Sequence, residues 1–276
     1  MRWDHSPFQR FLTYLLLILG GLSFVLPFLW MIGTALKPDD QLFSASPIPW
    51  PPRLMNFPDA INAFPFLLYT GNTMIITGLC IVGTAFSSAI VGYAFGRLHW
   101  PGRDLLFVVL LATMMIPPQV TMVPVFLLFR ELGWYNTFLP LTVPAFLGGG
   151  AFYIFLMRQF FRTLPKELEE AALIDGCSHF QIFWHIMLPL TKPALATVSL
   201  FTFIAAWNDF MTPLIYLSDE RRYTLALGLQ SFLNENLTEW NLLMAASTLA
   251  MLPIIILFFY GQRFFVEGIA LTGTKG

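Results

Sequence analysis

The sequence predicts an all-α, polytopic membrane protein, and three observations carry that reading. Hydrophobic residues make up 57% of the 276 residues and charged ones only 11%, outside the range of soluble globular domains. Six apolar segments are long enough to cross a bilayer, which takes about twenty helical residues. Between the fourth and fifth lies a polar, helix-patterned island, Thr163 to Pro193. No linker or second soluble domain interrupts the chain, so residues 1–276 are expected to form a single transmembrane domain.

The spans are placed near Phe11–Leu36, Thr70–Phe95, Leu105–Phe129, Leu139–Phe160, Ala194–Leu217 and Leu242–Gly261. The first is too long for a signal-peptide core and lacks a convincing cleavage pattern, so it reads as an uncleaved span. With the N-terminus inside, the cytoplasmic segments hold Arg2, Arg10, Arg97, Arg103, Arg158, Arg162, Lys166, Lys192, Arg263 and Lys275. The outer segments hold Lys37, Arg53, Arg130, Arg221 and Arg222. This excess of cations inside predicts that both termini and the 163–193 island face the cytoplasm.

The outer segment Pro38–Tyr69 carries Pro47, Pro49, Pro51, Pro52, Pro58 and Pro65. Extended backbone with short turns is expected there, as a docking surface for an external partner or as a lid over the spans. In the third span Pro117, Pro118 and Pro124 surround Gln119 and Thr121. Each proline removes a helical hydrogen bond, so this face should meet protein or a water-filled cavity. A gating kink and a packed kink both fit. The fifth span carries Asn208 and Asp209 followed by Pro213, which is expected to free the Asp209 carbonyl and kink the helix beside the acid. An ionisable group in a span is a functional candidate by default. With no second buried acid or histidine as a relay, Asp209 reads as structural or path-lining. The candidate path or gating residues are therefore Pro117, Gln119, Asn208, Asp209 and Pro213.

The island itself predicts two short helices around a sharp turn. Pro165 suits a first helical turn, and the helix continues from Lys166 to Asp175. Gly176 stands where a helix end favours a left-handed residue. Ser178 with Gln181 is a capping-box pattern opening a second helix. Phe180, Phe183, Trp184 and Met187 would form its apolar stripe, and Pro189 would end it. Ala171 and Ala172 leave room for a partner surface to approach.

Several chemistries are missing from the sequence. There is no P-loop pattern, and Gly273-Thr274-Lys275-Gly276 lacks the upstream glycine spacing. His5, His99, His179 and His185 are scattered without metal-ligand spacing, and no nucleophile elbow occurs. No catalytic residue, metal or cofactor is assigned. Cys80 and Cys177 read as small residues without a disulfide framework. A net charge of −1 without a basic block argues against nucleic acid as a partner.

Glu170-Ala171-Ala172, three residues, Gly176, nine residues, Ile186, then Leu188-Pro189 resembles the signature loop of membrane subunits of bacterial ATP-binding-cassette importers. Every fixed position of that pattern is matched. Met115-Ile116-Pro117-Pro118-Gln119 with Pro124, Gly133 with Asn136-Thr137, Ala206-Trp207-Asn208-Asp209, and Gln262-Arg263 with Glu267-Gly268 and Leu271-Thr272-Gly273 resemble the carbohydrate-uptake group. That group contains the shorter maltose-type permease subunit. Cys177 replaces the usual alanine, a small-for-small change.

The resemblance implies a complex of this chain, a homologous second permease, two ATPase subunits that bind the ATP, and an extracytoplasmic solute-binding protein, set in the bacterial inner membrane. Glu170, Ala171, Ala172, Asp175, Gly176, Phe180, Ile186 and Pro189 would couple to an ATPase, with Glu170 meeting a basic group on it. The tail from Glu267 to Gly276 can reach toward the ATPase dimer. The expected cargo is a sugar or oligosaccharide. Glycerol phosphate, another small polar solute, or an ion-coupled secondary transporter are the alternatives.

Overall fold

The computed structural model describes residues 7–44, 46, 49–233 and 239–273, the last eleven of these by backbone alone. Arg2, Pro47, Lys275 and Gly276, and the side chains of Arg263 and Glu267, lie outside the described residues. No strand occurs among the described residues. The helices are α1 Pro7–Ala35, α2 Asn56–Ala63, α3 Phe66–Gly96, α4 Arg103–Ala112, α5 Pro118–Glu131, α6 Leu139–Phe146 and α7 Ala151–Thr163. There follow α8 Glu167–Ile174, α9 His179–Ile182, α10 Leu188–Leu190, α11 Lys192–Trp207, α12 Met211–Tyr216, α13 Leu225–Gly228 and α14 Trp240–Gly273.

Among the described residues, four stretches are long and apolar enough to cross a membrane: Pro7–Ala35, Phe66–Gly96, Leu139–Thr163 and Trp240–Gln262. The number rises to six if Arg103–Met115 with Pro118–Glu131, and His179–Leu190 with Lys192–Trp207, each count as one bent span. The first pair bends by 100°, the second by 74°. The sequence expectation of a kinked but continuous third span is corrected here. Pro117 is extended (ψ 131°), and Pro118 opens a new helix at its first turn. A missing N–H is harmless there, so the tandem prolines break the span rather than curve it.

The chain forms two compact units: residues up to Phe66 with Leu229–Leu252, and Leu67–Gly228 with the chain from Pro253 onward. In the first, α1 is apolar on all sides and exposes nearly all of them, as a lipid-facing helix does. Its C-terminal end is held by amides. The buried Asn56 side chain donates to the carbonyls of Ala35 and Lys37, both at 2.8 Å. Asn241 Nδ2 donates to Asp39 Oδ1 at 2.7 Å. The proline-rich segment thus contains a helix, α2, where extended chain was expected. Pro58 lies in its first turn, the place a helix tolerates proline.

In the second unit α3 lies close to α6 and α7 because glycine leaves no side chain between them. A Cβ added at Gly92 would come within 2.6 Å of Met157 Cβ, and one at Gly83 within 2.7 Å of the Phe146 ring. Small residues bring membrane helices together in this way. Polar groups of α3 then find partners across the contact. Cys80 Sγ donates to Leu141 O (3.1 Å) and Ser87 Oγ to Ala145 O (2.8 Å). At its other end Asn72 Nδ2 donates to the carbonyls of Arg221 and Tyr223, and Thr73 Oγ1 accepts the Leu225 N–H.

Candidate functional site: the 163–193 knob

The knob begins where α7 ends. Lys166 precedes α8, so the first short helix starts at Glu167, just after Pro165. Glu167, Glu169 and Glu170 occupy its first turn, where the helix dipole favours negative charge. Gly176 is left-handed, φ +83°. The turn closes with Cys177 N–H donating to Ala172 O (2.9 Å) and Gly176 N–H to Leu173 O (3.1 Å). Ser178 and Gln181 form the full capping box, with Gln181 N donating to Ser178 Oγ at 3.3 Å and Ser178 N to Gln181 Oε1 at 2.8 Å.

Beyond Ile182 the helix widens into a π turn, Phe183–Met187, and then continues as α10. Leu188 N–H reaches back five residues to Phe183 O. Pro189 therefore does not end this helix, as the sequence reading held. The widened turn ahead of it relieves the clash that a proline ring makes with the carbonyl four residues back. The bend falls at Thr191, before α11.

The knob is packed onto the spans rather than hung from them. Ala172, Ile182, Phe183 and Met187 join Tyr93 of α3, Met157 and Phe161 of α7, and Ala194 and Val198 of α11 in one buried core. Tyr93 meets Phe161 and Phe183 with ring centroids 5.5 and 5.2 Å apart. The expected apolar stripe divides. Phe183 and Met187 are buried, whereas Phe180 is 74% exposed and stacks on the half-exposed Trp184. Ala171 and Ala172 divide likewise, Ala172 inward and Ala171 outward. Glu170, Asp175, Gly176 and Pro189 are exposed and Ile186 is half-buried. The outward surface thus presents Glu170, Ala171, Ile174 and Phe180.

Sequence reasoning missed the clamp that fixes this surface. Arg97, at the end of α3, is buried. Its Nη2 donates to Leu164 O (2.6 Å) and Pro165 O (3.2 Å), and its Nε lies 3.6 Å from Glu169 Oε2. The guanidinium fastens the entry to the knob to a different span from the one that leads into it. An arginine at a helix end reads only as a topology signal, and nothing in the acidic run singles out Glu169.

The other candidate residues lie elsewhere. Trp207 ends α11, and Asn208 Nδ2 donates back to Ile204 O at 2.8 Å. Asp209 Oδ1 accepts the Thr212 N–H (3.1 Å), capping the first turn of α12. Pro213 is buried in that same turn. It does not kink a continuous helix, contrary to the sequence expectation, because the helix has already ended before Asp209. Pro117, just before α5, and Gln119, within it, are both exposed, and this chain buries none of the residues of α5. Asn136, left-handed at φ 56°, accepts the N–H groups of Ser218 and Asp219 on Oδ1 and donates its own N–H to Tyr216 O.

Residues 88–270, about two thirds of the chain, match the family model described as "Binding-protein-dependent transport system inner membrane component". The chain belongs to this family. It is 38% identical over 267 residues to the probable ABC transporter permease protein YurM of Bacillus subtilis strain 168, covering 96% of this chain and 88% of that protein. The maltose/maltodextrin transport system permease protein MalG of Escherichia coli K12 is 32% identical, with coverage of 97% and 96%. A solved bacterial ABC transporter involved in the import of the acidic polysaccharide alginate shares the fold. Its TM-score is 0.82 at 24% identity, over 95% of this chain and 99% of that one. The protein is a multi-pass permease component of the inner membrane.

Proposed function

We propose that this permease carries a sugar or oligosaccharide inward, driven by ATP hydrolysis on separate ATPase subunits. The observation that carries the reading is the knob: two short helices about a left-handed glycine, cored onto three spans and presenting Glu170 and Ala171 outward. A rigid projection of this kind can pass an ATPase movement into the spans as a rigid-body rotation. The chain itself has no phosphate-binding loop. The cargo class is supported by MalG, a maltose/maltodextrin permease, and by the arabinooligosaccharides permease AraQ of Bacillus subtilis strain 168. A homologous second permease and an extracytoplasmic binding protein complete the assembly.

Both termini and the knob face the cytoplasm in this reading, on the excess of basic residues there. Asp209 has a structural role in this reading, its Oδ1 capping α12. The test is uptake by proteoliposomes holding this chain, its partner permease and the ATPase, with binding protein outside and labelled oligosaccharide or glycerol phosphate as cargo. Oligosaccharide uptake that requires both ATP and the binding protein is expected. Uptake driven by an ion gradient without ATP would overturn the reading.

A further inference from the structure

A cavity of about 680 Å³ opens where the end of α3, the start of α4 and the end of α7 meet the knob. Its wall is strongly cationic. Arg103, Arg158, Arg162 and Lys166 line it, and Arg158 lies near enough to both Arg103 and Arg162 to interact with them electrostatically. Two of the four are already oriented. Arg158 lies with its guanidinium carbon 3.9 Å from the Phe107 ring centroid, and Arg103 is held by Asp104 (2.9 Å) and Leu98 O (3.0 Å). Arg162 and Lys166 form no ion pair among the described residues. Of the acids on the wall, Glu169 is committed to Arg97 and Asp104 to Arg103, which leaves Glu170 facing Arg158, Arg162 and Lys166. Converging like charges in a partly enclosed site favour an anion.

The neighbourhood of the cavity says which anion. From Arg103, α4 runs into the membrane span with Leu105, Val108 and Val109 exposed by 70, 62 and 51%. Their i, i+3, i+4 spacing places them on one face. A cationic pocket beside the start of a lipid-exposed span suits the headgroup of an anionic lipid.

We propose that this cavity is a headgroup site for an anionic phospholipid. Its phosphodiester would lie against Arg158, Arg162 and Lys166, with its chains in the surrounding bilayer. Basic pockets between membrane helices recognise acidic lipids by this chemistry, and arginine forks match phosphate oxygens in pairs. Assignment to the cytoplasmic leaflet rests on the orientation proposed above. The site itself does not.

The test uses the intact complex purified with its ATPase, in mixed micelles of phosphatidylglycerol and phosphatidylcholine, with retained lipid counted by native mass spectrometry. The wild type should keep phosphatidylglycerol preferentially. Arg162→Gln/Lys166→Gln should lose about tenfold or more of that preference. Because neither side chain has an ion-pair partner among the described residues, the fold should survive, as size-exclusion would show. Equal retention of both lipids by the wild type would overturn the proposal, as would an unchanged preference in the variant. Release of the lipid by millimolar inorganic phosphate would make this a free-phosphate site instead. Efficient cross-linking of Arg162→Cys to the ATPase would show a protein in the cavity and also overturn it. A complex that fails to transport yet retains the lipid would sink the transport reading and leave this one standing.

Discussion

At residue scale the knob depends on one backbone conformation and one buried charge. An added Cβ at Gly176 would meet nothing within 4 Å, so the cost of a substitution there is the left-handed backbone alone, not a collision. Valine should lose on the order of 1–2 kcal/mol and asparagine less. Gly176→Val should therefore weaken ATPase co-purification several-fold while Gly176→Asn stays near wild type; equal behaviour of the two would remove the conformational explanation. Arg97 is the second dependence. Deleting one partner of a buried ion pair costs about 3–5 kcal/mol, because here it strands Glu169 and two carbonyls. Arg97→Leu should insert normally yet expose residues 164–175 to hydrogen exchange, and wild-type protection there would show that the clamp is dispensable.

At the scale of elements, close helix approach and helix breaks matter more than helix propensity. Gly92→Ala should overpack the α3–α7 contact against Met157 and destabilise by about 1–3 kcal/mol. A lowered Tm of the purified complex would register it, and an unchanged Tm would mean the helices simply separate. Pro213→Ala should be nearly silent in transport, since Pro213 sits in the first turn of α12, where its missing N–H leaves no bond unmade. The sequence reading required the opposite, a straightened span. Asp219 supplies a pH check. The Arg221 amide and guanidinium hold its carboxyl below the ordinary aspartate range. A depressed folded pKa stabilises above the unfolded value, about 3.9, and that stabilisation is lost as pH falls through the folded one. The hydrogen-exchange protection factor over residues 216–223, taken relative to the intrinsic rate at each pH, should stay flat from neutrality to about pH 5 and fall only in stronger acid.

Across the whole molecule, the sequence foretold what local chemistry decides. The capping box at Ser178 and Gln181, the left-handed Gly176 and the long apolar helices follow from patterns a few residues wide. What it hid depends on distant partners. Pro189 tolerates a helix only because a π turn precedes it, Pro213 is harmless only because the chain already broke at Asp209, and Phe180 turns outward because Ile182 fills the core. Arg97 finds Leu164 and Glu169 across about seventy residues, a pairing with no local signature. Topology remains the coarsest test of the assembled reading. Cysteines at Lys166 and Pro52 should label from opposite sides of the membrane, Lys166 from the cytoplasm, and labelling of both from one side would overturn the orientation.

The claim at the centre is that the outward face of the knob meets an ATPase subunit, and cross-linking from adjacent alanines tests it most directly. Ala171 faces out and Ala172 is 5% exposed within the core. In the co-expressed complex, a cysteine at Ala171 should cross-link to the ATPase, and the link should change with ATP. A cysteine at Ala172 should not react. Failure of Ala171→Cys to cross-link in a complex that hydrolyses ATP normally would contradict the coupling role of this surface.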